Sequence, residues 1–207
     1  MGRFNYVGVI IGQRGTGKSL FVIGSKYASR PQDKALNIRG LFELAIKNNQ
    51  KILIIDTLDH PAYKNIPVLK PADFKTFKKG IYRTWHEPDD IVKLIDLINK
   101  SPWLNNTLII CEDAGKYTED RLPRPFKRLA IDTKQRNIDL ILMYHCWIDT
   151  PKNVFSKSDF IQLFKTEDSP FVRRNDISLY EKVNKVYMAV KNNPNRFHGE
   201  YIDTRTN

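Results

Sequence analysis

The segment Gly12–Ser19 places the strongest constraint on the fold of this chain. Its residues, Gly12-Gln-Arg-Gly-Thr-Gly-Lys-Ser19, fit the pattern G-x-x-x-x-G-K-S/T. The apolar run before it, Tyr6–Ile11, predicts a β-strand, and the pattern from Lys18 to about Ala28 predicts a helix. A strand, a glycine loop and a helix in this order form a phosphate-binding unit, because backbone N–H groups and the helix dipole face the anion together.

The residue types in this loop suit a nucleoside triphosphate with magnesium. Glycines permit backbone conformations closed to other residues, so successive N–H groups can surround the phosphates. Lys18 supplies a positive charge for the β- and γ-phosphates and the Ser19 hydroxyl a ligand for Mg²⁺. The residues expected to bind ATP are Gly12, Gln13, Arg14, Gly15, Thr16, Gly17, Lys18, Ser19 and Leu20, with Lys18 also catalytic and Ser19 also a metal ligand.

Strand-like and helical patterns alternate along the rest of the chain. Further strands are predicted at Lys51–Asp56, Ile81–Trp85, Thr107–Cys111, Ile138–Tyr144 and Phe160–Phe164, with a short one near Tyr201. Helices are predicted at Leu41–Asn48, from Pro88 onward, in a basic stretch ending near Lys134, and around Leu179–Val186. This alternation is typical of an α/β fold with a mostly parallel central sheet flanked by helices. We expect one domain over residues 1–207.

Charge and composition further limit the class of protein to which this chain can belong. The chain carries a net charge of +11, which favours a polyanionic partner such as nucleic acid; a basic surface without such a partner is the alternative. It contains neither a membrane-length apolar run nor a signal-peptide cleavage pattern. Cys111 and Cys146 adjoin apolar runs, so both are predicted to be buried and reduced, as in a cytosolic protein.

An acidic pair, Glu112 and Asp113, follows the predicted strand Thr107–Cys111. Two acids at the end of a buried strand are typical of a Walker B motif, in which one acid holds Mg²⁺ and the other orients the attacking water. We assign Glu112 to the metal and Asp113 to the water, although the usual order is Asp then Glu; a solvated turn is the alternative. Asp56 ends its strand in the same way, but capping the loop at 57–61 is an equal alternative, and we place Asp56 outside the site.

In this order, the motifs resemble the HerA/FtsK superfamily of DNA-pumping ATPases, and most closely the genome-packaging ATPases of icosahedral viruses with internal membranes. The resemblance covers about residues 5–166 and leaves 167–207 as an extension. It depends on the glycine loop, the strand 52–56, Glu112-Asp113-Ala114 and the segment 134–145. It implies a RecA-like P-loop NTPase of the additional-strand class that uses ATP and Mg²⁺ to translocate double-stranded DNA into a preformed capsid.

The resemblance also implies further site residues. His145 stands where the family usually has a glutamine that senses the γ-phosphate. For the arginine that reaches a neighbouring subunit's site we favour Arg136, with Lys134 at the family spacing and Arg83 as other candidates. The expected DNA contacts are Lys116, Arg121, Arg124, Lys127 and Arg128, with Arg173 and Arg174 a weaker pair; a solvated basic helix face is the alternative.

The same resemblance implies partners and a location. We expect a homo-oligomeric ring of five or six subunits around the DNA, and a viral portal or membrane vertex protein as a further partner. The chain would then act in the host cytoplasm or at the packaging vertex of the virion.

Three other functions fit parts of the pattern. A filamentous-phage-type assembly ATPase has the same core, but it normally carries a transmembrane segment. A small-molecule or nucleoside kinase has a P-loop and a similar length, yet it requires a lid of clustered arginines. A binding module that only senses nucleotide would not require Lys18, Ser19 and the acidic pair together.

Overall fold

The computed structural model describes residues 5–57, 59–118 and 120–205. Its centre is a seven-stranded sheet in the order β3-β2-β4-β5-β1-β6-β7. The strands are β1 (Val7–Ile11), β2 (Lys51–Asp56), β3 (Ile81–Trp85), β4 (Thr107–Cys111), β5 (Ile138–Tyr144), β6 (Phe160–Leu163) and β7 (Glu200–Asp203).

The strand order places β5 between β1, which precedes the glycine loop, and β4, which precedes the acidic pair. Val7 of β1 is in register with Leu140 of β5, and Thr107 of β4 with Ile138 at the start of β5. Strands β1 to β6 are parallel, and β7 is added antiparallel to β6. A mostly parallel sheet with an additional strand at this position confirms the predicted fold class.

Helices cover both faces of the sheet. They are α1 (Lys18–Ile23), α2 (Pro31–Ala35), α3 (Leu41–Lys47), α4 (Pro88–Lys100), α5 (Arg124–Arg136), α6 (Lys152–Phe155) and α7 (Tyr180–Asn192). Helices α4 to α7 pack on one face, and α1 and α3 pack on the other. Short 3-10 helices lie at Ser25–Tyr27, Pro61–Tyr63, Pro71–Thr76, Pro102–Leu104, Ala114–Lys116 and Pro170–Arg173.

The central strands are apolar on both faces because each face lies under helices. In β2, Leu53 and Ile55 join the core under α4 and α5, whereas Ile52 and Ile54 join the core under α1 and α3. A continuous run of β-branched and leucine residues is therefore what this position in the sheet requires.

The structure differs from the predicted elements mainly on the α1 side. Helix α1 ends at Ile23 rather than near Ala28, because Gly24 adopts φ +75° and packs directly against Gly40. A Cβ atom on Gly24 would lie 2.6 Å from the Gly40 nitrogen, so only glycine fits this close approach. The short helix Pro31–Ala35 was not predicted, and α7 extends further, to Asn192.

The two cysteines have different environments. Cys111 is fully buried in β4, as expected, whereas Cys146 is only partly buried, so that prediction was wrong for Cys146. Cys146 follows β5 beyond its carboxyl end, where its thiol donates a hydrogen bond to Asp149 at 2.8 Å. Both are free thiols. Among the described residues, none of the helices has the length and apolar character that crossing a bilayer requires.

Candidate active site

The glycine loop leaves the carboxyl end of β1 and is fixed to the two strands beside it. The Gly12 N–H donates to the Tyr144 carbonyl at 3.2 Å, at the end of β5, and the Gln13 N–H donates to the Lys165 carbonyl at 2.8 Å, just after β6. Gly15 and Gly17 adopt φ +75° and +102°, so glycine is needed at both for the loop to turn into α1. The loop is thus held in place before any phosphate binds.

Lys18 is buried at the start of α1, with its side chain directed into the loop. Its ammonium donates to the carbonyls of Gly12 and Gln13, the latter at 3.0 Å, and lies 3.2 Å from Nδ1 of His145. Burial lowers the pKa of Lys18 to about 8, although the nearby Glu112 and Asp113 act in the opposite direction. A phosphate in the loop would add negative charge beside this ammonium and favour its charged form.

Glu112 follows β4, and its side chain is buried near enough to Lys18 for the two charges to interact. The hydroxyl of Tyr63 donates to Glu112 Oε2 at 2.8 Å. Burial raises the pKa of Glu112 to about 7, although the hydrogen bond from Tyr63 and the charge of Lys18 lower it. A carboxyl group with this pKa exchanges its proton near neutral pH, and a cation bound beside it would hold it in the ionised form.

Asp113 has the opposite electrostatic character to its neighbour. Burial tends to raise its pKa, but His145 and Lys116 outweigh this and lower the pKa to about 2. Asp113 Oδ1 lies 2.5 Å from His145 Nε2, and Oδ2 lies 3.3 Å from the Lys116 ammonium. Asp113 also adopts φ +47°, a left-handed conformation that Asp and Asn tolerate better than most residues. It is therefore ionised throughout the neutral range.

His145 connects the two parts of the site. An ammonium group only donates hydrogen bonds, so Nδ1 of His145 accepts from Lys18 while Nε2 faces Asp113. The structure thus brings Lys18, Asp113 and His145 into one contiguous cluster at the carboxyl ends of β1, β4 and β5. Crevices at the carboxyl ends of parallel strands are the usual ligand sites of such sheets.

The short helix after β2 contributes a residue that the sequence analysis missed. Tyr63 is completely buried, and its hydroxyl interacts with both Glu112 and Ser19. Its pKa is raised well above the usual value by burial first and then by Glu112, whereas Ser19 opposes the rise. Tyr63 therefore joins the two residues assigned to the metal. A buried tyrosine has no sequence motif, although its place after a parallel strand at the phosphate edge is a usable signal.

The donor set fits a magnesium ion. Mg²⁺ prefers hard oxygen ligands and usually takes one or two carboxylates together with phosphate oxygens and water. Ser19 offers a hydroxyl and Glu112 a carboxylate, and Tyr63 interacts with both. In metal sites, hydrogen bonds to the ligands themselves orient those ligands and tune their basicity. The hydrogen bond from Tyr63 to Glu112 is of this kind.

Asp56 and Arg83 form a buried ion pair beside this site rather than part of it. Arg83 Nη1 donates to Asp56 Oδ2 at 3.0 Å and also to Asp59, while Arg83 Nε donates to the Ile66 carbonyl at 3.2 Å. Asp56 also accepts from the His60 N–H at 3.1 Å. Asp56 therefore caps the loop that follows β2, and Arg83, on β3, donates hydrogen bonds to the same region. The Arg83 guanidinium thus finds its partners within its own chain.

Arg136 lies at the opposite edge of the sheet from the glycine loop. It ends α5, just before the amino end of β5. Its guanidinium donates to the carbonyls of Ile98 at 3.0 Å and Ser101 at 2.6 Å, at the end of α4, and to the Asn105 side chain at 3.2 Å. A role in a neighbouring subunit stays a prediction, and it would require Arg136 to give up these bonds. Lys134, two residues earlier, has an exposed side chain.

The predicted DNA-binding residues lie on and before α5. Arg121, Arg124 and Arg128 are exposed and Lys127 is half-buried, while Lys116 is paired with Asp113. Arg173 donates to the Trp147 carbonyl at 3.2 Å, and Arg174 lies 5.5 Å from the Tyr180 ring centre. Lys116 thus connects the basic segment to the acidic pair, whereas Arg173 and Arg174 are engaged within the chain.

The loop between α7 and β7 approaches the glycine loop from the other side, which the sequence analysis also missed. Arg196 Nη2 donates to the Arg14 carbonyl at 3.3 Å and would lie 2.5 Å from a Cβ atom on Gly15. Phe197 contacts Gly17, where an added Cβ would lie 3.5 Å from its ring. No sequence motif connects residues so far along the chain to a glycine loop near its start.

With this geometry established, the chain can be compared with known proteins. No family model matches the sequence, and no curated protein sequence matches it. The structure is similar to the genome-packaging NTPase of Sulfolobus turreted icosahedral virus 2 in complex with AMPPCP (TM-score 0.73, 15% identity, 97% of this chain and 93% of that chain covered). The complex of that protein with ATP-gammaS matches with a TM-score of 0.72 and 17% identity over 97% of this chain and 93% of that chain.

Two further solved structures have related folds. The DNA-packaging ATPase of Sulfolobus turreted icosahedral virus matches with a TM-score of 0.71 and 16% identity over 97% of this chain and 93% of that chain. VirB4 of Thermoanaerobacter pseudethanolicus matches with a TM-score of 0.54 and 10% identity over 99% of this chain and 88% of that chain. The chain therefore has the P-loop NTPase fold of viral genome-packaging ATPases, as the resemblance predicted.

Proposed function

We propose that this protein hydrolyses ATP with Mg²⁺ and that hydrolysis drives double-stranded DNA into a viral capsid. The observation that carries the proposal is the cluster of Lys18, Asp113 and His145 at the glycine loop, with Glu112 and Ser19 joined beside it through Tyr63. The likeness in fold to packaging ATPases of icosahedral viruses supports the same conclusion.

In this proposal, each residue has a distinct part in hydrolysis. The loop N–H groups and Lys18 bind the β- and γ-phosphates, and Lys18 exchanges its carbonyl partners for phosphate oxygens. Ser19 and Glu112 would hold Mg²⁺, and the ion would supply positive charge to neutralise the phosphates. Asp113, ionised at neutral pH, orients the attacking water. His145 lies between Lys18 and Asp113 and is placed to respond to the γ-phosphate.

The proposed connection to DNA passes through Lys116. Its ammonium lies 3.3 Å from Asp113, and the chain then continues into the exposed Arg121, Arg124 and Arg128. A change in charge at the acidic pair during hydrolysis would therefore alter the anchor of this basic segment. Contacts from these residues to DNA phosphates carry no sequence information, which suits a protein that moves along any DNA.

The proposal extends to assembly and location. A ring of five or six subunits around the DNA would place several basic segments along the duplex. A viral portal or membrane vertex protein would hold that ring at the capsid, so the protein would act in the host cytoplasm and at the packaging vertex.

Steady-state ATP hydrolysis, measured with and without long double-stranded DNA over a salt series, tests the proposal. We expect DNA to stimulate hydrolysis, and the stimulation to fade as salt rises, because phosphate contacts weaken with counterion concentration. Activity that ignores DNA but requires a small phosphate acceptor would contradict the proposal and favour a kinase.

A further inference from the structure

A cavity of about 350 Å³ lies beside the glycine loop, on the side away from the acidic pair. It is open on one side and is lined by the start of α1, by β6 and by the segment that leads into β7. The lining residues are Gly17, Leu20, Phe21, Ile38, Gln162, Phe164, Phe197, Gly199, Glu200 and Tyr201. Ligand sites for small molecules are commonly concave, mostly apolar and at least about 300 Å³ in volume.

The position of this cavity follows from the order of the strands. Glu112, Asp113 and His145 come from β4 and β5, on one side of β1, whereas the cavity is formed with β6 and β7, on the other side. The γ-phosphate belongs beside the hydrolytic residues, so the rest of an extended nucleotide must leave the loop in the opposite direction. Gly17 and Leu20 belong both to the loop region and to the cavity wall, so the two spaces are continuous.

Four of the ten lining residues are aromatic. Phe164 is buried and contacts Phe21 edge-to-face with a 5.9 Å centroid distance, while Phe197 and Tyr201 keep 48% and 53% of their surface exposed. Flat, partly exposed aromatic rings around a cleft are the surfaces on which nucleobases stack.

One amide side chain lines the cavity. Gln162 is 5% exposed, and it lies on β6 between the aromatic residues of the wall and Gly199. An amide can both donate to and accept from the edge of a purine. Glu200 at the rim is already engaged, since its carboxylate lies 2.8 Å from His198.

The loop that carries Phe197 is held in position by its own asparagines. The Asn195 N–H donates to the Asn193 side chain at 2.9 Å, and the Phe197 N–H donates to the Asn195 side chain at 2.9 Å. Gly199 follows, and a Cβ atom there would lie 2.6 Å from Phe164 and 2.8 Å from the Gln162 amide. The close approach of this loop to β6 therefore depends on a glycine.

We infer that this cavity binds the purine base of the nucleotide, stacked against Phe197 and read by the Gln162 amide. The inference rests on the proposed function, because it assumes that the glycine loop binds the triphosphate. It assigns to the C-terminal segment 193–201 a part in substrate binding.

Calorimetric binding of ATP, GTP, CTP and inorganic tripolyphosphate, each with Mg²⁺, tests the inference. We expect the unaltered protein to bind ATP or GTP about tenfold or more tighter than CTP or tripolyphosphate. Phe197→Ala should weaken purine nucleotide binding about tenfold, because the base would lose an aromatic ring on which it stacks. Its affinity for tripolyphosphate should change less than about twofold.

Two further variants make the test specific. Phe171→Ala removes another exposed phenylalanine, 63% exposed and outside the cavity, and should leave all four affinities unchanged. Gln162→Leu should reduce the preference for ATP or GTP over CTP.

The possible outcomes separate the inference from the proposed function. Equal losses for ATP and tripolyphosphate in Phe197→Ala, or the same ATP affinity in Phe197→Ala and Phe171→Ala, would overturn the base site alone. Lack of tripolyphosphate binding by the unaltered protein, together with no effect of Lys18→Ala on ATP, would overturn the proposed function as well.

Discussion

The two sides of the glycine loop differ in almost every physical respect. On the β4 and β5 side the side chains are charged and linked by short contacts, such as 2.5 Å between His145 and Asp113 and 2.8 Å between Tyr63 and Glu112. On the β6 and β7 side, Phe197 and Tyr201 are partly exposed aromatic residues that line a cavity together with the buried Gln162. The first arrangement suits stabilisation of charge that develops during a reaction, and the second suits binding of a flat apolar group.

We therefore expect substitutions on the two sides of the glycine loop to change different kinetic constants. Fixed charges near the reacting phosphate act mainly in the transition state, so their loss should lower kcat. Stacking contacts act equally before and during the reaction, so their loss should raise KM.

The largest effect is expected for Lys18→Ala. Removing the ammonium deletes the charge beside the phosphates, and we expect steady-state hydrolysis to fall at least about 100-fold. The fold should persist, because Lys18 is held in a buried position that lowers its pKa to about 8 and so disfavours its charge. Phosphate release and circular dichroism measure the two expectations. Lys185→Ala, at an exposed position of α7, is the control, and equal turnover in the two variants would contradict the site.

Glu112→Gln should come next and separate activity from stability. The variant should lose hydrolysis about 100-fold and still bind the nucleotide. The folded-state pKa of Glu112 is about 7, above the ordinary 4.5, so the wild-type protein loses stability as pH rises from about 4.5 through 7. Because glutamine does not ionise, the variant does not lose stability over this pH range.

The variant should therefore unfold at a higher temperature than the wild type at pH 8, with the difference narrowing toward pH 4.5. The gain in free energy of unfolding is at most about 3 kcal/mol, and this figure already includes the attraction between Glu112 and Lys18. Thermal unfolding without nucleotide, at both pH values, measures it. Glu181→Gln, at an exposed site on α7, is the matched control. A destabilised Glu112→Gln at pH 8 would contradict the assignment of its pKa.

Tyr63→Phe is expected to have an intermediate effect. The ring remains, and only the hydroxyl that interacts with Glu112 and Ser19 is lost. Partners of this kind typically contribute about 10- to 100-fold in metal affinity. We expect the Mg²⁺ concentration for half-maximal hydrolysis to rise about tenfold, while binding of ATP without metal is unchanged. Tyr27→Phe, in the same core layer, is the control. An unchanged Mg²⁺ requirement would remove Tyr63 from the metal site.

Arg136→Ala should have the smallest effect on chemistry and a clear effect on stability. Its guanidinium holds the carbonyl end of α4, so its loss should lower the free energy of unfolding by about 1–2 kcal/mol. Urea unfolding measures this change. Turnover that falls in the folded variant, and that recovers when it is mixed with Lys18→Ala subunits, would instead support the predicted role of Arg136 in a neighbouring subunit.

Much of the fold could be predicted because its signals are local. The strands Lys51–Asp56 and Ile138–Tyr144 are apolar runs bounded by polar residues, and the structure has them with the predicted bounds. The end of α1 could not be read in the same way, because it depends on contact between Gly24 and Gly40. That contact is tertiary, and sequence periodicity does not predict it.

The candidate site likewise contains residues that the sequence predicts and residues that it does not. Lys18, Glu112 and Asp113 stand in motifs, so their types and spacing indicated their chemistry, and the structure places them together with His145. Tyr63 and Phe197 reach the glycine loop from distant segments, through the packing of β2 and β7 into the sheet. Residues that enter a site through topology alone require the structure.

The most direct test of this division of roles is to measure kcat and KM for ATP with Mg²⁺ in Asp113→Asn and Phe197→Ala. Asparagine tolerates the left-handed conformation at position 113, and it removes the charge together with one of the two acceptor oxygens. We expect Asp113→Asn to lower kcat about 100-fold with little change in KM, and Phe197→Ala to raise KM about tenfold with kcat unchanged. If both variants changed the same constant, the two sides of the glycine loop would not have separate roles.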